Sequence, residues 1–449
     1  MYLLYSSLLT LGFILLLPRF VIDAFRSGKY VTGLGQRLGK LPQLCSNNHP
    51  IIWLHCVSVG EARAAQSLVH ALLDRFPSMR LVVSTTTVTG QKVAHEIFGQ
   101  KAAAVFYFPI DWAWTVRRAL RAIQPSLVLI METELWPRLL HECRGKEIPV
   151  ALVNGRISDK SFRRYRWIRS FMGRVLGDLT LAVMQAPEDA KRIGTLGVSE
   201  EKLLVSGNLK FDSANVALDK DLTSKLRERF NLTRGRLIVA ASTHAPEEEV
   251  MLAAFKRARE SHSDVRLLIA PRHPERFQEV TGLLEKSGLA WSRRSEPASK
   301  QDSTSDVVLL DTIGELGAVY SLADLVFVGG SIAPHGGHNV LEPAAQGVCT
   351  ITGPHTQNFA WITKAMLNEE ALVQLPESSN YAAELSSVID QLLSDEKRRM
   401  EIGGRAKSVC QRNQGATEKT IEMISHLIAT PTAHNEPVPF STLRATTAK

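Results

Sequence analysis

The sequence predicts an α/β protein built from two doubly wound domains facing a cleft, with an apolar helix ahead of them. Three observations carry this. Short runs of Val, Ile and Leu, apolar at nearly every position, alternate with longer amphipathic stretches; that is the pattern of a parallel sheet covered by helices on both faces. The alternation pauses once, at the charged stretch 211–232, and then restarts. The chain has 449 residues, whereas single cores stop growing at ~250–300 residues.

The first element is the uncharged run 1–18, MYLLYSSLLTLGFILLLP, with Val21 and Ile22 extending its apolar character. A spanning helix takes about 20 apolar residues, and the run lacks the charged start and small-residue cleavage site of a removable signal. Arg19, Arg26, Lys29, Arg37 and Lys40 follow, opposed by Asp23. The positive-inside rule then keeps the body cytoplasmic. The expectation is a single-pass anchor over 1–22 whose basic flank touches anionic lipid.

The strands of the first half are predicted at 51–57, 81–86, 127–131, 150–154, 179–185 and 203–206, with helices such as 62–76 and 112–122 between them. Those of the second half fall at 237–241, 266–270, 307–311, 325–328 and 348–351. The domains are accordingly 23–212 and 213–429. Residues 430–449, rich in Pro, Thr and Ala, are expected to be disordered.

Composition narrows the function classes. Hydrophobic residues make up 45% and charged residues 22%, which excludes a disordered body. The net charge of +8 points to anionic partners, but no basic stripe with interleaved aromatics marks a nucleic-acid binder. Cys45, Cys56, Cys143, Cys349 and Cys410 form no CxxC pair, so reduced structural thiols are expected. His244, His273, His335, His338 and His355 crowd the second-half loops without an HExxH or other paired spacing, which argues against a metal site. Gly33-Leu34-Gly35-Gln36-Arg37-Leu38-Gly39 resembles a dinucleotide fingerprint but is off by one residue and follows no strand.

In an open parallel sheet, function sits on the loops after the strands. Ser58-Val59-Gly60-Glu61 follows the first strand and opens a helix, whose N-terminus favours the carboxylate form of Glu61. Glu132 and Glu134 follow the strand at 127–131. Gly207-Asn208-Leu209-Lys210 ends the first half, with a lysine able to reach a phosphate or carboxylate. Pro271-Arg272 offers a guanidinium fork, and Ile313-Gly314-Glu315 opens another helix. The glycines Gly329, Gly330, Gly336 and Gly337 precede Asn339-Val340-Leu341-Glu342-Pro343 and are expected to form an anion-binding nest.

Taken in order, SVGE, METELWP, GNLKFD, PRHPERF and GGHNVLEP resemble the 3-deoxy-D-manno-octulosonic acid (Kdo) transferases of lipopolysaccharide synthesis, over nearly the whole chain. The resemblance implies a GT-B fold, inversion at the anomeric centre, and neither metal nor other cofactor. It implies CMP-Kdo as donor and the lipid A precursor, lipid IVA, as acceptor at the inner membrane. It carries the catalytic base onto Glu61, and the carboxylate and lysine that assist the transition state onto Glu132 and Lys210. The CMP contacts fall on Pro271 and Arg272, on Ile313, Gly314 and Glu315, and on Asn339, Val340, Leu341 and Glu342. In GT-B transferases a Glu-Pro such as Glu342-Pro343 holds the nucleotide ribose. The chain departs from the family at Gln36, where Gly-Glu-Arg is frequent. Competing readings are another GT-B enzyme, such as a UDP-sugar-dependent lipid A disaccharide synthase or a sugar-nucleotide epimerase, and a tethered binding protein without turnover.

Overall fold

The structure, a computed structural model, describes residues 1–27, 32–44, 49–213, 219–232 and 235–428. Lys29, Cys45 and the tail 430–449 lie outside the described residues. The chain divides into two units, one formed by Met1–Ser213 with the chain from Gln414 onward, the other by Ala214–Asn413.

The first unit carries β1 (Ile51–His55), β2 (Arg80–Thr85), β3 (Ala102–Tyr107), β4 (Leu127–Met131), β5 (Val150–Gly155), β6 (Leu181–Met184) and β7 (Leu203–Val205). They pair in parallel in the order β3-β2-β1-β4-β5-β6-β7. Strands β1, β4, β5 and β6 are buried at every residue, as expected of a sheet covered on both sides. Ile52 and Leu54 of β1 face one core, with Leu68, Phe98 and Ile424, while Ile51 and Trp53 face the other, with Val116, Leu139 and Val175. The strand order reverses between β1 and β4, and open α/β sheets bind ligands beyond strand ends at such a switch point.

The second unit repeats the plan with β8 (Leu237–Thr243), β9 (Arg266–Pro271), β10 (Trp291–Arg293), β11 (Val307–Leu309), β12 (Leu325–Val328), β13 (Cys349–Thr352) and β14 (Val373–Gln374). Their order is β10-β11-β9-β8-β12-β13-β14, again parallel, with the reversal between β8 and β12. Three strands are additional to those expected: β3, β10 and β14. All three are edges. The last two have three and two residues, and β3 opens on a run of alanines, a weak strand former.

Two expectations are corrected. The charged stretch 211–232 is no bare linker, since it contains the helix Lys220–Phe230, capped by Asp219, which accepts from the Leu222 amide at 2.9 Å. Its Leu226 and Phe230 are buried, so the charges are the wet face of an amphipathic helix. The second domain does not run to 429 either. The helix Ala416–Ser425 returns to the first unit, where Ile421 and Ile424 enter its core. Asp212 accepts from the amides of Gly415 at 2.8 Å and Thr417 at 2.6 Å, and so caps this helix.

Residues Tyr2–Ser27 form one helix with Pro18 inside it. One stripe docks on the first unit. The Tyr2 hydroxyl donates to Asp178, the Tyr5 hydroxyl donates to Asp111 at 3.0 Å, and the ring of Phe13 lies 5.2 Å from that of Trp112. The other face exposes Leu3, Leu4, Leu8, Leu11, Ile14 and Leu15. Among the described residues, no helix is long and apolar enough to cross a membrane.

Candidate active site

The loops after β1 and β4, at the switch point of the first sheet, and the loop after the edge strand β7 bring together Glu61, Glu132 and Lys210. Ser58 caps the helix Val59–Arg75, its Oγ accepting from the Glu61 amide and donating to Glu61 Oε1 at 2.9 Å. The Val57 amide donates to Glu61 Oε2 at 2.8 Å. The spacing Ser58-x-x-Glu61 is a capping box, which by itself makes Glu61 structural. Its surroundings make it more than that. Burial, and after it the charge of Glu132, raise the Glu61 carboxyl to about 7 against the two hydrogen bonds that oppose them. The sequence expectation, a pKa held low by the helix end, is corrected: desolvation outweighs the helix terminus here.

Glu132 stands just after β4 in the left-handed region, at φ 54°, and is buried. A non-glycine residue held there costs of order 1–3 kcal/mol and commonly marks a functional site. Its Oε2 accepts from Arg156 Nε at 2.7 Å, and its Oε1 lies 3.7 Å from Lys210 Nζ. Burial lowers the Lys210 ammonium despite the nearby carboxylates. Burial, followed by Glu132, raises Glu134. Of the two glutamates after β4, Glu132 is the one that meets Lys210.

A polar chain across three strand ends positions the lysine. Gln185 donates to the Asn154 carbonyl at 2.9 Å, Asn208 donates to Gln185 Oε1 at 2.9 Å, and the Leu209 amide donates to Asn154 Oδ1 at 3.1 Å. The loop carrying Glu132 is braced by Trp136, whose Nε1 donates to His55 Nε2 at 3.1 Å. Nε2 therefore accepts, and His55 Nδ1 carries the proton toward Ser84 Oγ at 2.9 Å. Complete burial lowers His55 to about 3, so it stays neutral. Sequence reasoning missed Arg156, Asn154 and Gln185. Their only signal was their place at or just beyond the ends of predicted strands.

In the second unit the expected nucleotide residues occupy separate loops. Pro271 ends β9, and the Arg272 amide donates to the Thr243 carbonyl at 3.0 Å. Ile313 is 81% exposed and Gly314 is left-handed at φ 89° with open space beside it. Glu315 is held by Arg294 through two contacts, at 2.8 and 2.9 Å. Asn339 Nδ2 donates to Glu342 Oε1 at 3.1 Å, while its Oδ1 accepts from the Leu341 amide. Val340 caps the short helix Leu341–Ala345.

The glycine nest is corrected. The amides of Gly330, Ser331 and Ile332 donate to the buried carboxylate of Glu247, at 2.7, 2.9 and 2.8 Å. The amides of Gly337 and His338 go to backbone carbonyls of Gly330 and Gly329. The turn that looked ready for a ligand anion already holds the protein's own.

Residues 32–213 match the family model for 3-deoxy-D-manno-octulosonic-acid transferase (Kdo transferase). The Kdo transferase of Haemophilus influenzae is 33% identical over 421 residues, covering 94% of this chain and 97% of that protein. That of Bordetella pertussis is 33% identical over 387 residues, covering 83% and 86%. The chain belongs to the Kdo transferase family. It is therefore a glycosyltransferase. Among solved structures, a glycosyltransferase from Rickettsia africae superposes with a TM-score of 0.55 at 14% identity, covering 85% of this chain and all of that one. The UDP-GlcNAc 2-epimerase of Neisseria meningitidis gives 0.54 at 12%, covering 81% and 99%. These two likenesses speak for the two-domain GT-B fold alone. Gln36, which stands where the resemblance led to the expectation of Glu, accepts through Oε1 from the Tyr107 amide at 2.9 Å.

Proposed function

We propose that this enzyme transfers Kdo from CMP-Kdo onto the lipid A precursor, lipid IVA, with inversion and without a metal. The observation that carries the reading is Glu61, a buried carboxyl titrating near neutrality beside the Glu132–Lys210 pair. A general base works best with a pKa near the operating pH. In this reading Glu61 takes the proton of the acceptor hydroxyl as oxygen attacks the anomeric carbon. CMP departs from the opposite face. Glu132 and Lys210 bear on the charge that develops in between, with burial strengthening their effect. The nucleotide belongs to the second unit, on Pro271 and Arg272, on Ile313, Gly314 and Glu315, and on Asn339, Val340, Leu341 and Glu342.

The acceptor is a phosphorylated glycolipid, which suits a membrane-attached enzyme. The exposed leucine face of Tyr2–Ser27 supports attachment to the inner membrane with the catalytic body on its cytoplasmic side. A recess of about 530 Å³ near the docked end of that helix is lined by Arg117, Arg121 and Lys146 with Glu142, and a neighbouring one of about 540 Å³ by Arg144 and Arg174 with Asp178. Arg117 and Arg144 pair with these acids, so the excess of basic side chains lends modest support to contact with anionic lipid.

Donor choice separates this reading from a UDP-sugar enzyme. CMP should raise the unfolding temperature of the full-length chain, since a ligand that binds only the native state stabilises it by mass action. Glu342→Ala should remove that protection. Equal protection by UDP would contradict the reading.

A further inference from the structure

Four imidazoles outside the residues assigned above converge at the switch point of the second sheet. His244 follows β8, His273 follows β9, and His335 and His338 lie on the loop after β12. His244 is the buried hub. The rings of His335 and His273 lie 4.2 and 5.1 Å from its ring, centre to centre. His338 Nε2 lies 2.8 Å from His244 Nε2, and the two ring planes differ by only 7°. His273 and His335 are exposed and form the mouth. Gly330 makes room, because a Cβ there would come within 2.9 Å of His338 Nε2.

The charges facing the cluster come from every neighbouring loop. Arg272 is pinned beside His244 by a hydrogen bond from its amide to the Thr243 carbonyl. Arg276 faces it too, held by Glu248 at 2.6 Å and Glu279 at 2.9 Å. Glu247, one turn beyond His244, spends its carboxylate on backbone amides. The nearby acids are thus committed elsewhere, and the imidazoles face cations. Two ring nitrogens at hydrogen-bond distance share one proton; a proton added to an outer ring nitrogen makes an imidazolium–imidazole pair that carries one positive charge. Burial first, and then the neighbouring histidines and arginines, lower His244 to about 4 and His338 to about 3. What would reverse this is an anion at the exposed mouth. Among the described residues no three His, Cys, Asp or Glu side chains are placed to share a metal ion.

We propose that His244, His273, His335 and His338, with Arg272, form an oxyanion seat that takes up protons as it fills, receiving a phosphoryl or carboxylate group of the donor. The assignment to the donor rests on the CMP-Kdo reading. An anion at the mouth adds negative charge beside the rings, the pair accepts a proton, and binding strengthens as pH falls.

The test is calorimetry of the full-length protein with CMP, free Kdo, cytidine and inorganic phosphate, each in two buffers of different ionisation enthalpy. The pH range is 8.5 to 7, where the CMP phosphate, with a second pKa of about 6, stays mostly dianionic. Wild type should take up a fraction of a proton with CMP, growing as pH falls toward 7, and affinity should rise by less than about tenfold per pH unit. Cytidine should show no uptake. If CMP shows the uptake and free Kdo does not, the seat takes phosphate; the converse pattern makes it a carboxylate site. His244→Asn and His338→Asn should flatten the pH slope while keeping cytidine affinity. Unchanged slopes in folded variants, or a wild-type slope of zero with bound CMP, would overturn the seat. If CMP fails to bind but phosphate binds with proton uptake, the donor reading falls and the seat stands. Should a variant fail to fold, the wild-type slope and the cytidine arm still decide.

Discussion

At the scale of single residues, Glu61 is where two structural demands meet. The same carboxylate closes a capping box and sits in a buried, negatively charged setting. If it takes the acceptor proton, Glu61→Gln should lower kcat by about 10²–10⁴-fold while CMP-Kdo binding stays nearly intact. Steady-state kinetics paired with donor calorimetry check this. A base must be deprotonated to act. With Glu61 raised to about 7, activity should therefore fall as pH drops through 7, and kcat/KM should show an acidic limb there. Glu132 is the largest charged contributor to that rise, and Arg156 pairs with Glu132 at 2.7 Å. Glu132→Gln should move the limb to lower pH, and Arg156→Met, by leaving the Glu132 charge less compensated, to higher pH. A limb fixed in both variants would mean that another group titrates. Glu61 and Glu132 were visible in the sequence because each follows an apolar run ending at a predicted strand. The direction of the Glu61 shift was not, because a one-dimensional reading sees the helix start but not the burial.

At the scale of elements, legibility followed burial. Strands apolar at every position, such as β4, announced themselves, and so did β5, apolar over its first four residues. The edge strands β3, β10 and β14 did not, since short or alanine-rich segments are defined by pairing more than by composition. The helix Ala416–Ser425 looked like a continuation of the second half because sequence order hides its partner, the cap Asp212. Asp212→Ala should cost about 0.5–2 kcal/mol of local stability. Hydrogen exchange should show the amides of Gly415 and Thr417 losing protection ahead of the rest of the first unit. The N-terminal helix makes a separate prediction. Removing residues 1–18, or placing aspartates at Leu8 and Leu15, should release the protein from membranes at moderate salt while leaving the fold intact. Fractionation and circular dichroism test it, and a full-length chain that is wholly unbound would contradict attachment.

At the scale of the whole molecule, two parallel sheets each gather titratable side chains at the point where strand order reverses: Glu61 and Glu132 beyond β1 and β4, His244 and His338 beyond β8 and β12. The fold class could be read from alternating patterning alone. The exchange of the C-terminal helix into the first unit could not, because it depends on contacts between residues some two hundred positions apart, Asp212 with Gly415 and Thr417. The ordered motifs identified the family. The burial and pairing of Glu61, Glu132 and Lys210 supplied a chemical reason for those motifs. The most direct test is to incubate the purified full-length enzyme with Kdo, CTP, a CMP-Kdo synthetase and lipid IVA, and to weigh the lipid product by mass spectrometry. The account predicts a lipid heavier by whole Kdo residues, dependent on CTP and largely lost with Glu61→Gln. An unmodified lipid with folded wild-type enzyme, or sugar transfer supported by a UDP-sugar instead, would contradict it.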